Sequence, residues 1–144
     1  MGYQAIANKV LGMLKQADGN DPSNGHLTMD NWEWPTGVAL YGIYKTYQQS
    51  GDKSILDYLT GWYDDMLSRE TKPHRNVNTV APVLALTCLY EETGREDYLP
   101  VIESWIDWVM KEMPRTEYEG LQHYTVWNKH YQQLWCDTLF MVGL

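Results

Sequence analysis

The stretch WCDTLFMVGL, residues 135–144, sets one acid, Asp137, at the mouth of an apolar run, between Trp135 and Phe140. A carboxyl in that position can cap a helix, since Asp is a favoured N-cap residue. Shielded by its apolar neighbours, it can also hold and return a proton. Around it the chain is rich in amphipathic rings, with seven Trp and eleven Tyr against one Phe. Such rings suit the faces of sugars as well as the damp edges of a core. Trp34 and Trp135 could form a sugar platform, and Trp135 is the better candidate because it adjoins Asp137. Tyr41 either packs in the core or meets a ligand. Asn76 and Asn78 either cap a helix or orient hydroxyls and water, because amides do not exchange protons.

Other chemistries drop out. His26, His74 and His130 read as surface or loop residues and show no metal-ligand spacing, so no metal and no other cofactor is expected. Cys88 and Cys136 lack the CxxC spacing of a zinc or redox motif. Nineteen acids against eleven bases give a net charge of −8, which disfavours nucleic acid and anionic membranes as partners. The longest basic stretch, KPHR at 72–75, is too short to reverse this. The N-terminal MGYQAIANKVLGMLKQ is amphipathic, without a charged leader, a long apolar core or a cleavage site. The expectation is a cytoplasmic protein with reduced thiols, no signal peptide and no membrane span. A length of 144 residues with 44% apolar and 21% charged residues suits one globular domain, 1–144, with one core.

The elements that must position Asp137 show up as a repeat. PTGVALYGIYKTYQQSGDKSILDYLTGWYDDM from Pro35 aligns without a gap with NTVAPVLALTCLYEETGREDYLPVIESWIDWV from Asn78. Thr36 matches Thr79, Tyr47 matches Tyr90, Gly51 matches Gly94 and Trp62 matches Trp105, each pair 43 positions apart. That period is typical of paired helices. The first helix of each pair ends at the glycine, which can take the left-handed cap conformation. It is the more apolar and should face inward; the second, dotted with charges, should lie outside. Pro82 is expected early enough in its helix for the missing N–H to cost little, and Pro100 within the first turn of its own. GLQHYTVWN at 120–128 suits a short extended segment. Asp137-Thr138 then opens a third inner helix after a longer connection from Pro114 to His130. Pro35, Asn78 and Asp137 therefore fall on one rim, at the N-terminal ends of successive inner helices. Two and a half hairpins do not close a ring. The chain is expected to be the N-terminal part of something larger, with an open face through which copies could also self-associate.

WEWPTGVALYGIY (32–44), NVNTVAPVLALTCLYEETG (76–94) and LQHYTVWNKHYQQLWCDTLFM (121–141) resemble glycoside hydrolase family 105, the unsaturated rhamnogalacturonyl hydrolases. Family 88, the unsaturated glucuronyl hydrolases, is more distantly similar. The resemblance runs from Met29 to Leu144, about four-fifths of the chain. It implies an all-α fold, an (α/α)6 barrel present here only in part, with the active site on one rim. It also implies an unsaturated oligosaccharide as partner, hydrated at its C4=C5 bond. On this likeness Asp137 is the general acid/base of the Trp-x-Asp-Thr motif, and Tyr41, Asn76, Asn78, His123 and Trp135 are the substrate-binding candidates. Cys136 departs from the family, where Asp is common, and reads as a small buried thiol.

A carboxyl that gives up a proton near neutrality must bind it more tightly than a free side chain does. Burial among Trp135, Leu139 and Phe140 would supply this and outweigh the opposing helix N-terminus, provided the barrel is closed. The 144-residue chain alone is therefore expected to be weakly active or inactive. Arg75 could hold the substrate carboxylate, although the main partner is expected outside the chain. Asp30 and Glu33 leave room for a second carboxylate and ordinary inverting hydrolysis, which needs a separation of about 6.5–9.5 Å. Two further readings are glucuronyl hydrolysis and a non-catalytic helical module that binds sugar or protein.

Overall fold

The structure, a computed structural model, describes residues 3–17, 19–20 and 28–143; His26 and Leu144 lie outside them. Among the described residues six α-helices follow in order: α1 (Tyr3–Lys15), α2 (Trp34–Ser50), α3 (Lys53–Ser68), α4 (Val77–Thr93), α5 (Leu99–Lys111) and α6 (Cys136–Gly143). A 3-10 turn, Glu96–Tyr98, leads into α5. Among the described residues there is no strand. The stretch expected to be extended contributes one isolated antiparallel bridge, Arg115 to Leu121. No helix of the described residues is long and apolar enough to cross a membrane.

Burial separates inner from outer helices along the repeat. Helix α4 is buried on most sides, through Val77, Val80, Ala81, Val83, Ala85, Leu86 and Leu89. Helices α3 and α5 each bury a single stripe, Ile55, Leu59 and Tyr63 in one and Ile102, Trp105 and Trp108 in the other. These are the spacings of one helical face, so both helices lie outside. Helix α4 packs against α2 on one side and α6 on the other, so the inner helices stand in chain order. Gly51 and Gly94 close α2 and α4 with φ of 67° and 66°, the left-handed caps the sequence predicts.

Helix α2 meets the α4 backbone tightly at Gly37. A Cβ there would lie 2.6 Å from the backbone of both Ala81 and Pro82, so only glycine fits. Pro82 lies in the second turn of α4, not the first. Its missing N–H removes the bond that would have reached the Asn78 carbonyl. The helix continues because packing holds it: Gly37 presses on one side, and the buried Tyr63 hydroxyl donates to the Pro82 carbonyl at 2.7 Å. Pro100 does fall in the first turn of α5.

Several of the aromatic rings go to the core. Trp32 lies between the matched pair Trp62 and Trp105, with ring centroids 5.9 and 6.5 Å away. Its indole N–H donates to the Thr79 carbonyl at 2.8 Å, and that of Trp62 to the Met29 carbonyl at 2.6 Å. The segment before α2 is thereby fixed to both hairpins.

Candidate active site

Each inner helix begins with a buried threonine, and each threonine ties down the segment that enters the helix. The Thr36 hydroxyl bonds to Asn31 Oδ1 at 2.8 Å and the Thr28 carbonyl at 3.2 Å. The Thr79 hydroxyl donates to the His74 carbonyl at 2.7 Å and accepts from the Asn76 N–H at 3.0 Å. The Thr138 hydroxyl pairs with His123 Nδ1 at 2.8 Å. Because the threonine points inward, the residue before it is turned toward the rim: Pro35 and Asn78 are half-buried, and Asp137 is exposed.

The rim positions are joined laterally. The Val77 N–H, at the start of α4, donates to the Tyr124 carbonyl at 2.9 Å, next to His123. Burial raises the Glu33 carboxyl, just before α2, above its ordinary value, against the opposing effect of the neighbouring Trp34 backbone and Asn78 side chain. Of the two additional carboxylates, Asp30 is instead paired with Arg69. Glu33 is thus the acid that the fold brings to the starts of α2 and α4.

Asp137 lies in the first turn of α6, one residue past the helix start, rather than at the N-cap. Its side chain is 46% exposed, with Oδ1 3.6 Å from His123 Nδ1. The expected shielding by Leu139 is absent, since Leu139 is itself exposed at 69%. Helix phase is the reason: α6 turns Thr138 and Met141 inward, three residues apart, which leaves 137 and 139 outside. The same phase exposes Cys136, which is not the buried thiol expected. Phe140 is half-buried and meets Tyr41 of α2 edge to face at 6.1 Å. Tyr41 therefore lies beside α6, about a turn beyond Asp137, under the Lys45 ammonium.

Two of the expected substrate contacts are buried. Asn76 is 1% exposed, with Oδ1 accepting from the Asn78 N–H at 2.9 Å and Nδ2 donating to the His74 carbonyl at 3.1 Å. Both ends of its amide are used in capping α4. His123 is 3% exposed and is covered by Trp135, whose ring stacks on it at 4.0 Å and 6°. Both lie behind the surface, while Asn78 is half-buried and Asp137 and Trp135 are exposed. Burial lowers the His123 imidazole below its ordinary value, helped by His130 and opposed by Asp137. His130, read as a loop residue, does lie in the connection, but its ring packs against both Trp135 (4.7 Å) and His123 (5.2 Å).

The connection from Pro114 to Trp135 is braced by glutamines. Gln132 Oε1 accepts from the Glu117 N–H at 2.7 Å, and Gln133 Oε1 accepts from the Trp135 indole at 2.9 Å. Arg75 is engaged elsewhere, bonded to Ser104 and stacked on Trp105. Among the described residues no Lys or Arg forms an ion pair with Asp137. A groove of about 420 Å³ opens at the starts of α2 and α4, lined in part by Glu33, Lys72, His74, Thr79 and Trp127. Trp127 is 95% exposed. Sequence reasoning passed over it because one Trp among seven carries no mark of its position.

Residues 8–144 match the family model described as Glycosyl Hydrolase Family 88. The unsaturated rhamnogalacturonyl hydrolase YesR of Bacillus subtilis (strain 168) is 33% identical over 116 residues, covering 78% of this chain and 33% of that protein. A crystal structure of a possible member of the GH105 family from Klebsiella pneumoniae subsp. pneumoniae MGH 78578 is 50% identical with a TM-score of 0.75. The match covers 79% of this chain and 30% of that one. A second, from Salmonella enterica subsp. enterica serovar Paratyphi A str. ATCC 9150, is 36% identical with a TM-score of 0.81, covering 99% and 41%. The chain thus spans about a third of the length of the relatives it matches, and its hairpins are an arc of an (α/α)6 barrel. It belongs to the glycoside hydrolases of Glycosyl Hydrolase Family 88, on the side grouped as GH105.

Proposed function

We propose that this chain carries the proton-transferring rim of an unsaturated rhamnogalacturonyl hydrolase. The single observation behind this reading is the placement of Asp137, which stands open on the rim with its carboxyl beside His123 and Trp135. In the reaction, the Asp137 carboxyl gives its proton to C4 of the C4=C5 bond. Water adds its oxygen to C5 and returns a proton to the carboxylate, so one group serves twice. The hemiketal formed at C5 opens and releases the neighbouring sugar. In this reading Asn78 orients the water or a hydroxyl, and Trp135 offers its outer face to the sugar ring.

The exposure of Asp137 supports low activity for residues 1–144 alone, because a proton donor in contact with bulk water loses the shielding its task requires. The name of the 33%-identical relative favours the rhamnogalacturonyl substrate over a glucuronyl one. A chimera in which residues 1–144 replace the matching third of the Bacillus relative tests the assignment. It should consume an unsaturated galacturonyl-rhamnose disaccharide in preference to an unsaturated glucuronyl one. Preference for the glucuronyl substrate would contradict the assignment. Clear turnover by residues 1–144 alone would contradict the need for a closed barrel.

A further inference from the structure

The three threonines that open the inner helices each tie down a neighbouring segment, but not through the same kind of partner. Thr36 is bonded to an amide oxygen and a carbonyl, and Thr79 to a carbonyl and a backbone N–H. None of these groups titrates. Thr138 is bonded to an imidazole, and this is also the unit whose rim residue is an acid. The geometry points to His123 as the positioning residue of Asp137: held by Thr138 and the face of Trp135, it presents Nδ1 to the Asp137 carboxyl and so couples that carboxyl to its own protonation. This role rests on the proton-transferring part assigned to Asp137.

The imidazole has little freedom to do otherwise. Its ring is stacked on Trp135 at 4.0 Å, its backbone N–H donates to the Gln133 carbonyl at 2.9 Å, and its Nδ1 is 2.8 Å from Thr138 Oγ1. From that fixed place Nδ1 is 3.6 Å from Asp137 Oδ1, too long for a hydrogen bond but short for a charge. An N–H at Nδ1, directed at the Thr138 oxygen, puts its positive end beside the Asp137 carboxylate. A lone pair at Nδ1 puts negative charge there. No proton has to leave His123 for this to matter. The carboxylate left after Asp137 has protonated C4 is stabilised in the first state and destabilised in the second. His123 would thereby set how readily the acid is spent and recharged.

Two titratable groups bear on His123. Asp137 of α6 favours its charged form, and His130 of the connection opposes it. The start of α4, which adjoins through Val77, has Glu33, His74 and Arg75 near it, but Arg75 is held by Ser104 and the charges that bear on His123 are those of Asp137 and His130. The coupling can therefore be read by changing one neighbour at a time.

The test is a pH titration of the His123 ring by NMR in the 144-residue chain, compared with Asp137→Asn and His130→Gln. Asp137 is exposed, so its replacement leaves the packing intact, and the dispersion of the spectrum verifies the fold in each variant. In the unsubstituted chain the midpoint should fall below 6.5. It should fall by about a further half pH unit in Asp137→Asn, the size expected for one charge at this distance in a wet site. It should rise in His130→Gln. His123→Asn, which keeps a donor toward Thr138, supplies a second readout. In the chimera it should retain most of the substrate affinity and change the pH dependence of kcat. A midpoint that ignores Asp137→Asn, or a kcat profile unchanged by His123→Asn, overturns the proposal. Failure of the functional reading looks different: the chimera would be inactive on every unsaturated sugar while the His123 midpoint still follows Asp137.

Discussion

The starts of α4 and α6 are built on one pattern and spend it differently. At α4 the polar groups satisfy one another: Asn76 and Thr79 form a reciprocal capping box, and both are buried. At α6 the threonine is buried in the same way, but it turns to a histidine, and the residue before it is an exposed acid. Satisfied neutral groups stabilise a helix end without reacting to their surroundings. An imidazole beside a carboxylate makes a helix end that responds to pH. Taken with the function proposed for Asp137, the comparison teaches that one repeat can be a structural anchor in its second copy and a chemical site in its third.

If that division holds, changes near α4 should move stability and leave the chemistry alone. The largest such effect is expected at Gly37, whose added Cβ would meet the α4 backbone at 2.6 Å. Gly37→Ala should lower stability by about 3 kcal/mol in denaturant unfolding, the upper end for overpacking. Gly42→Ala, where nothing lies within 4 Å, should be neutral or slightly stabilising and serves as the control. Next comes Asn76→Ala, which breaks the capping box and should cost about 1 kcal/mol. An Asn76→Ala variant of the chimera that folds but loses turnover would break the comparison, because it would give α4 a chemical role.

The smaller effects belong to α6. Burial lowers the His123 imidazole, so the folded state binds fewer protons than the unfolded one in the region of its titration. The stability this represents is present above about pH 6.5 and is lost as pH falls through the lowered folded value. Unfolding curves should therefore show the wild-type chain losing stability below pH 6.5, and His123→Asn losing less. Trp135→Phe should change stability least, by about 0.5 kcal/mol, since Trp135 lies at the surface and Phe retains part of its stacking. The same substitution should weaken binding of the unsaturated disaccharide to the chimera, as measured by calorimetry.

How much of this is visible in the amino-acid sequence depends on the range of the forces involved. The hairpins are visible because their signals are local: apolar spacing, glycines at Gly51 and Gly94, and the recurring Thr36, Thr79 and Thr138. The rim follows from the shared register. The exposure of Asp137 and Leu139 does not, because the phase of a short helix is set by its contacts with α4 and not by its own pattern. Asn76 and Asn78 look alike in sequence, and only the folded loop shows that one is enclosed and the other half-buried. The stacking of His123 on Trp135 is the least legible. It depends on a connection that turns through left-handed backbone at Glu119, His130 and Gln132 with no glycine at those positions, so the usual sign of such turns is missing.

The most direct measurement pairs stability with turnover for Asp137→Asn. In the chain of 144 residues the variant should unfold at the same denaturant concentration as the parent. In the chimera, the same substitution should reduce turnover of the unsaturated disaccharide by about a hundredfold or more while leaving its affinity within a few-fold. Turnover that survives the loss of this carboxyl would contradict the account, because another acid, such as Glu33, would then have to carry the proton.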